Sequence, residues 1–360
     1  MPKYLHVMGR WDSGGIGRIV GSIVSLNQSS NAHHDILLAL PEQGHRVPLP
    51  IQSACVVYRL AEKGGGRISR ARRFWRLARD YDGFFLHGTE IAAVLPLMLQ
   101  RRPCLVFQHG LSSGSRTGKN RAKRRRWHSV AIRSLNCKVI CATEFAAQKL
   151  GDSGIRVPSK RIEIIPFGIA RTRPSAPPPK RLERRQITVG IAARLVRQKR
   201  LDWPITSLLA YSGSADIKLL LAGEGPEGPS LRHLAQSVPD RIEIEFLGHV
   251  DDMTAFYDRL DVLLFPSRRE SLGLVVLEAM DRCVPVAVFP DVGGCLPLVE
   301  DGVNGIVLEE GIEGLYALWR LLDHEPNRLS EMSANLCRSD MSEFDIARTR
   351  TSLEDLVRSL

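Results

Sequence analysis

Short runs of consecutive apolar residues alternate along this chain with longer stretches whose apolar positions recur every three or four residues. An unbroken apolar run reads as a strand buried on both faces, and regular alternation with amphipathic helices reads as stacked βα units around parallel sheets. The first half gives strand candidates at 4–8, 35–40, 55–59, 84–87, 104–107, 137–141 and 162–165, with helices over 15–27, 67–79, 89–100, 119–134 and 143–150. Residues 171–180 then break the pattern with a polar, proline-rich stretch that reads as a linker. A second alternation follows, with strands at 187–192, 217–222, 242–246, 261–265, 284–288 and 304–307. The tail, 343–358, is one helical pattern with Phe344, Ile346, Leu353, Leu356 and Val357 as its apolar points. The expectation is an α/β chain of two domains, 1–170 and 186–342, with a ligand site in the cleft between them.

Bulk composition narrows this reading. A chain of 360 residues suits two cores better than one. It contains no apolar run of 18 residues or more, so no membrane-spanning helix is expected. Met1–Gly9 leads straight into a strand without a signal-peptide pattern, which points to the cytosol. Seven cysteines, an odd number mostly in apolar surroundings, predict buried thiols in a reducing compartment, and none has structural-zinc spacing. Charge is divided unevenly. Residues 1–170 hold 27 Lys/Arg against 10 Asp/Glu, and the remainder holds 23 against 29. A basic half beside an acidic half implies different partners for the two.

The densest chemistry lies at Arg269-Glu270-Ser271-Leu272-Gly273-Leu274-Val275-Val276-Leu277-Glu278. A helix starting near Ser271 or Leu272 would offer unpaired N–H groups to a phosphate at Ser271, Gly273 and Leu274. Glu270 would precede that helix and Glu278 would stand about two turns in. Carboxylate, anion cradle and carboxylate is a layout suited to sugar, pyrophosphate and ribose. Arg194 and Lys199 follow the first strand of the second half and could bind phosphate oxygens, with Arg197 and Arg200 as solvated neighbours. Gly15 lies in the glycine-rich turn Asp12–Arg18, where backbone can approach a ligand, although the turn misses the dinucleotide spacing. His109 ends an N-terminal strand at the edge where α/β sheets place ligands, and His87 ends the preceding strand and competes for the same role. Asp80-Tyr81-Asp82 spells a metal-binding triplet, but turn chemistry accounts for it better and no metal is expected.

The Glu270-x7-Glu278 run resembles the signature of the retaining GT-B glycosyltransferases of family 4, the group 1 glycosyl transferases. Further segments resemble that family's elements in the family's order over roughly residues 186–307: Gly190–Arg194 with Lys199, Leu221–Pro226, Phe246–Val250, Gly293-Gly294, and Val299–Gly305. The resemblance implies the GT-B fold, two Rossmann-like domains facing across a cleft, with the C-terminal helix (343–360) crossing back to the N-terminal domain. It implies a UDP- or GDP-linked sugar as donor, Arg194 and Lys199 on the pyrophosphate, Val250 near the base and Glu278 on the ribose. Glu270 would meet the donor sugar as a positioning and electrostatic group. His109 would stand near the donor sugar and the acceptor hydroxyl. Hexosyl transfer with retention follows, without a metal cofactor, since the basic clamp replaces the cation.

Two basic tracts remain. Residues 67–79 carry six arginines with Ile68, Phe74, Trp75 and Leu77 among them, and residues 116–126 carry seven Lys/Arg before Trp127. Basic residues beside aromatics suit an anionic bilayer, with Arg73, Trp75, Lys123, Arg124, Arg125, Arg126 and Trp127 as contacts to membrane or acceptor. The alternative is a solvated helix face. Nucleic acid is not expected, because no recognition module accompanies the charge. The reading is therefore a glycosyltransferase at the inner membrane face, acting on a glycan or lipid-linked acceptor in surface polysaccharide or lipopolysaccharide assembly. The rivals are a sugar-nucleotide 2-epimerase and a non-catalytic sugar-nucleotide-binding protein.

Overall fold

Each apolar run becomes a strand, and every strand of both sheets runs parallel to its neighbours. The computed structural model describes residues 1–11, 14–40, 46–61, 66–87, 91–109, 118–174 and 186–360. The chain divides into two units, Met1–Ala170 with Glu343–Leu360, and Arg171–Ser342.

Unit 1 runs β1 (Lys3–Met8), α1 (Gly15–Ser25), β2 (His33–Leu38), α2 (Leu49–Ala54), β3 (Val57–Arg59), α3 (Arg67–Leu77), β4 (Gly83–Leu86), α4 (Ile91–Gln100), β5 (Pro103–Gln108), α5 (Gly118–Ser134), β6 (Asn136–Cys141), α6 (Glu144–Asp152) and β7 (Ile162–Ile164). Its sheet order is β3-β2-β1-β4-β5-β6-β7. Leu5, Val7, Phe84 and Leu86 pack under Phe74 and Ala78 on one face, and Met8, Ile36 and Leu38 pack with Trp11, Val20 and Val24 on the other. Helix α2 is absent from the sequence expectation. At six residues it is too short to show a period, and Pro50 in its first turn suits a helix start.

Unit 2 runs β8 (Gln186–Ala192), α7 (Asp202–Leu209), β9 (Asp216–Ala222), α8 (Gly228–Ala235), β10 (Ile242–Gly248), α9 (Met253–Tyr257), β11 (Val262–Phe265), α10 (Leu274–Asp281), β12 (Val286–Val288), β13 (Gly305–Val307), α11 (Glu313–His324) and α12 (Asn327–Arg338). Its sheet order is β10-β9-β8-β11-β12-β13. Trp319 of α11 is buried over the core, and its indole N–H donates to Ser207 Oγ at 2.8 Å. The last helix, α13 (Ile346–Arg358), belongs to unit 1 and packs on α1, β4 and β5. Ile346, Leu353 and Val357, three of its expected apolar points, are buried in it.

Two expectations need correction. Arg171–Arg173 is no free linker but docks on unit 2. Asp281, fully buried, accepts from Arg171 Nε at 2.8 Å and from the Thr172 N–H at 2.7 Å. Arg173 donates to Leu336 O at 3.0 Å, among the last carbonyls of α12. Residues 175–180 of the expected linker lie outside the described residues. Cys283 and Cys337 form a disulfide between the ends of α10 and α12, against the expectation of seven thiols. Their separation of 54 residues gives no sequence signal, whereas the fold sets their Cα atoms 5.2 Å apart. The five remaining cysteines are free and buried. Among the described residues, no helix is long and apolar enough to cross a membrane.

Candidate active site

In unit 2 the chain leaves β8 toward β9 on one side and leaves β11 toward β12 on the other. Neighbouring strands with diverging connections leave a crevice at their carboxyl ends, and this switch point is where open α/β sheets hold ligands. Two loops border it. The loop after β8 carries Arg194 and Lys199, and the loop after β11 carries Glu270, Ser271 and Gly273.

The two loops meet through Lys199, whose ammonium donates to Glu270 Oε1. The backbone of Glu270 is clamped, its N–H donating to Val292 O at 2.6 Å and its carbonyl accepting from the Gly294 N–H at 2.8 Å. The carboxylate is therefore placed by backbone pairing as well as by the lysine. Arg194 is exposed, and no ion pair engages it among the described residues. Arg200, expected to be solvated, is held down instead. It pairs with Asp291 and lies over Trp203, 4.7 Å from the ring centroid. A flat guanidinium covers an aromatic face well, and that contact is invisible in a charge count.

Helix α10 begins at Leu274, later than the expected Ser271 or Leu272. Gly273 is the reason. Its φ of +75° is left-handed and cannot be helical, so the first turn starts after it. Glu278 is consequently the fifth helical residue, a little over one turn in rather than two. Its Oε2 accepts from the hydroxyl of Tyr257, a buried residue at the end of α9, at 2.7 Å. Sequence reading gives no signal for this tyrosine, which precedes Glu278 by 21 residues.

The neighbouring loops are laced together. The Gly223 N–H donates to Gly248 O at 2.6 Å, and the Leu195 N–H donates to Glu224 O at 2.9 Å. Gly223 has φ of +136°, and a Cβ there would run into the Ala193 carbonyl, so the close approach of these loops requires glycine. Val250 is half-buried just beyond β10.

In unit 1, Gly15 is exposed as the first residue of α1, while Asp12 and Ser13 lie outside the described residues. His87 and His109, read as competitors, are partners at 2.6 Å (Nδ1 to Nε2). Two further histidines, unforeseen, continue the row. His6 lies 3.0 Å from His87, and His34 lies 3.0 Å from His6. Their signal was present as polar residues at positions where β1 and β2 call for apolar ones. Burial is the first cause of the depressed pKa of all four rings. His6 and His87 lie well below the ordinary 6.5, His34 falls to about 4 and His109 to about 3.

The basic tracts divide. On α3, Arg73 turns inward and donates to Leu60 O at 2.7 Å, and Trp75 is half-buried, so neither presents freely outward. The exposed face is Ile68, Arg72 and Arg76, with Arg79 just beyond, and α4 adds exposed Leu95 and Leu99. Trp127 packs against the unit 1 core while Arg126 beside it is exposed. The side chains of Lys123, Arg124 and Arg125 lie outside the described residues. Asp82 accepts from the Lys3 N–H at 2.8 Å and Tyr81 donates to Asp35 at 2.6 Å, which gives that triplet structural roles.

Comparison with known proteins bears on the family and the fold. The model of Glycosyltransferase Family 4 matches residues 14–173, and that of Glycosyl transferases group 1 matches residues 186–323. A GDP-mannose-dependent alpha-mannosyltransferase of Corynebacterium glutamicum is 32% identical over 121 residues, 34% of this chain and 27% of that protein. The matched stretches span about a quarter to under half the length of the first curated relatives, 27% and 44% for two of them. The crystal structure of HepE from Anabaena with UDP and glucose superposes with a TM-score of 0.78 at 18% identity, covering 100% of both chains. WaaG, a glycosyltransferase involved in lipopolysaccharide biosynthesis, superposes with a TM-score of 0.71 at 17% identity, covering 98% of this chain and 99% of that one. These likenesses establish the GT-B fold, and the two family matches, one on each unit, place the chain in the group 1 glycosyltransferases of family 4.

Proposed function

We propose that the chain transfers a hexosyl unit, with retention, from a UDP- or GDP-linked sugar to a hydroxyl acceptor. The observation that carries this reading is the Lys199–Glu270 pair at the switch point of unit 2, with Arg194 exposed on one loop and Glu278 of α10 fixed by the Tyr257 hydroxyl. Arg194 and Lys199 would bind the diphosphate and stabilise the charge that grows on it as the glycosidic bond breaks. The N–H groups opening α10 add a positive dipole end. Glu278 accepts hydrogen bonds from ribose hydroxyls. Glu270 exchanges part of its contact with Lys199 for hydroxyls of the donor sugar, which places that sugar beside the bound diphosphate. Gly15 lets backbone approach the donor, and His109 meets the acceptor hydroxyl as a neutral base. HepE, which shares the fold, was crystallised with UDP and glucose.

The test is a nucleotide-sugar panel read by thermal shift in EDTA. A matching donor at 100 times its Kd adds roughly 2.7 kcal/mol to stability. Stabilisation by a UDP- or GDP-sugar without metal is the expected result, and that donor incubated alone should stay unconverted, unlike an epimerase substrate. A response that requires manganese or magnesium would contradict the clamp. Tyr257→Phe should raise the donor KM about fivefold, the worth of one hydrogen bond of roughly 1 kcal/mol, and leave kcat nearly unchanged. An unchanged KM in steady-state kinetics would detach Glu278 from the donor.

The acceptor we infer is lipid-linked or otherwise anionic, as in surface polysaccharide or lipopolysaccharide assembly. In support, exposed Ile68 stands among the arginines of α3, its neighbour α4 adds exposed Leu95 and Leu99, and on α5 Arg126 is exposed near exposed Val130. Apolar and basic residues together suit an anionic bilayer, where each cation contributes on the order of 1 kcal/mol. Replacing Arg72, Arg76, Arg79 and Arg126 with Ser should lower co-sedimentation with anionic vesicles, and added salt should do the same to the wild type. Equal sedimentation of variant and wild type would make these helices solvated faces.

A further inference from the structure

Four histidines on or just beyond four adjacent strands form a single row of hydrogen bonds that ends on a carboxylate. Glu354 of α13 meets His34 (Oε1 to Nε2, 2.9 Å). His34 Nδ1 meets His6 Nε2 at 3.0 Å, His6 Nδ1 meets His87 Nε2 at 3.0 Å, and His87 Nδ1 meets His109 Nε2 at 2.6 Å. The order β2-β1-β4-β5 makes this row possible, because each ring stands on or at the end of the strand next to the last. Every link joins Nε2 of one ring to Nδ1 of the next, so all four rings point the same way.

A neutral imidazole has one N–H and one lone pair. Glu354 is held between Arg350 Nε at 2.8 Å and Arg358 Nη2 at 3.0 Å, and these charge-assisted bonds keep it ionised. Burial works against that charge, but the bonds to His34 and Arg350 prevail and its pKa lies below the ordinary value. A carboxylate can only accept, so His34 must carry its proton on Nε2. His34 Nδ1 is then an acceptor, which puts the His6 proton on Nε2, and the same requirement passes through His87 to His109. Reversing one ring would set two donors or two lone pairs face to face, at a cost of about 1–3 kcal/mol for each buried group left unsatisfied. Adding a proton to a ring is disfavoured by the burial that depresses all four pKa values.

We propose that Glu354 is a positioning residue for His109: through His34, His6 and His87 it commits Nε2 of His109 to donation and makes Nδ1 the proton-accepting nitrogen. The logic is that of the third member of a catalytic triad, which sets the tautomer of the base without touching substrate. The kinetic consequence rests on the reading of His109 as the base for the acceptor hydroxyl, whereas the tautomer assignment stands independently of it. It also gives the C-terminal helix a part in the chemistry beyond closing the fold of unit 1.

The experiment is long-range proton–nitrogen correlation NMR on the full chain labelled with 15N-histidine, at pH 7.5. In the wild type, His6, His34, His87 and His109 should each show protonated Nε2 and bare Nδ1. Glu354→Gln supplies a side chain that donates as readily as it accepts, and His6→Phe cuts the row while keeping both ends. In either variant His109 should lose its single tautomer, and kcat should fall roughly tenfold to a hundredfold with donor KM unchanged. Nδ1–H or a doubly protonated ring at any of the four wild-type positions overturns the proposal. So does an unchanged His109 tautomer in the folded variants; if Glu354→Gln does not fold, His6→Phe and the wild-type spectrum decide. A changed tautomer with unchanged kcat would support the orientation by Glu354 and overturn the role of His109 as base.

Discussion

Lys199→Ala lowers turnover by roughly 10²–10³-fold while leaving the protein folded. Two effects combine. The ammonium no longer neutralises the departing diphosphate, a loss comparable to removing one oxyanion donor. Glu270, only 20% exposed at its side chain, also loses the cation that pairs with it, so the carboxylate is no longer held where it should position the donor. The loop keeps its course, since Glu270 is also held through its backbone bonds to Val292 and Gly294. Lys199→Arg keeps the charge but presents a planar fork in place of a compact ammonium, and only partial recovery follows. Steady-state kinetics beside circular dichroism checks this, and a folded Lys199→Ala protein with wild-type turnover would contradict it.

The second large effect is acid lability of unit 1. His34 is fully buried, and its pKa falls from 6.5 to about 4 in the folded chain. The unfolded chain therefore takes up a proton below about pH 6.5 that the folded chain refuses down to about pH 4. Stability is complete above pH 6.5 and is lost as pH falls through this window. At pH 5 the loss from His34 alone is about 2 kcal/mol, and His6, shifted in the same direction by the same cause, adds to it. Urea titrations at pH 7.5 and pH 5, followed on the amide resonances of β1 and β2, read unit 1 by itself. Its midpoint should drop sharply at pH 5, and His6→Phe should flatten the dependence. Equal midpoints at the two pH values would mean the row is charged or solvated.

Much of the fold was legible because parallel strands are buried on both faces. Val262–Phe265 and Phe84–Leu86 are unbroken apolar runs for that reason, and they mark β11 and β4. The segment proposed to meet the donor could be picked out because Glu270 and Glu278 belong to one local run. What could not be read depends on the fold bringing distant residues together. His6 and His87 are 81 residues apart, and His34 and Glu354 are 320 apart. Each alone reads as an ordinary polar residue. Arg200 illustrates the same limit, since its aromatic platform is set by the packing of Trp203 on Phe289 and by no spacing rule. The start of α10 was misplaced for a local reason that sequence does contain, namely that Gly273 can take the left-handed conformation; what sequence does not reveal is that it must.

Unit 2 is expected to hold a nucleoside diphosphate through Arg194 without a metal. Calorimetric titration of the wild type and of Arg194→Ala with UDP and with GDP, in EDTA, tests it most directly. One of the two nucleotides should bind the wild type at a single site, and Arg194→Ala should weaken that binding by about tenfold or more, the worth of at least 1.4 kcal/mol from a lost charge-assisted contact. Absence of binding by both nucleotides, or equal affinity in a folded Arg194→Ala protein, would contradict the account.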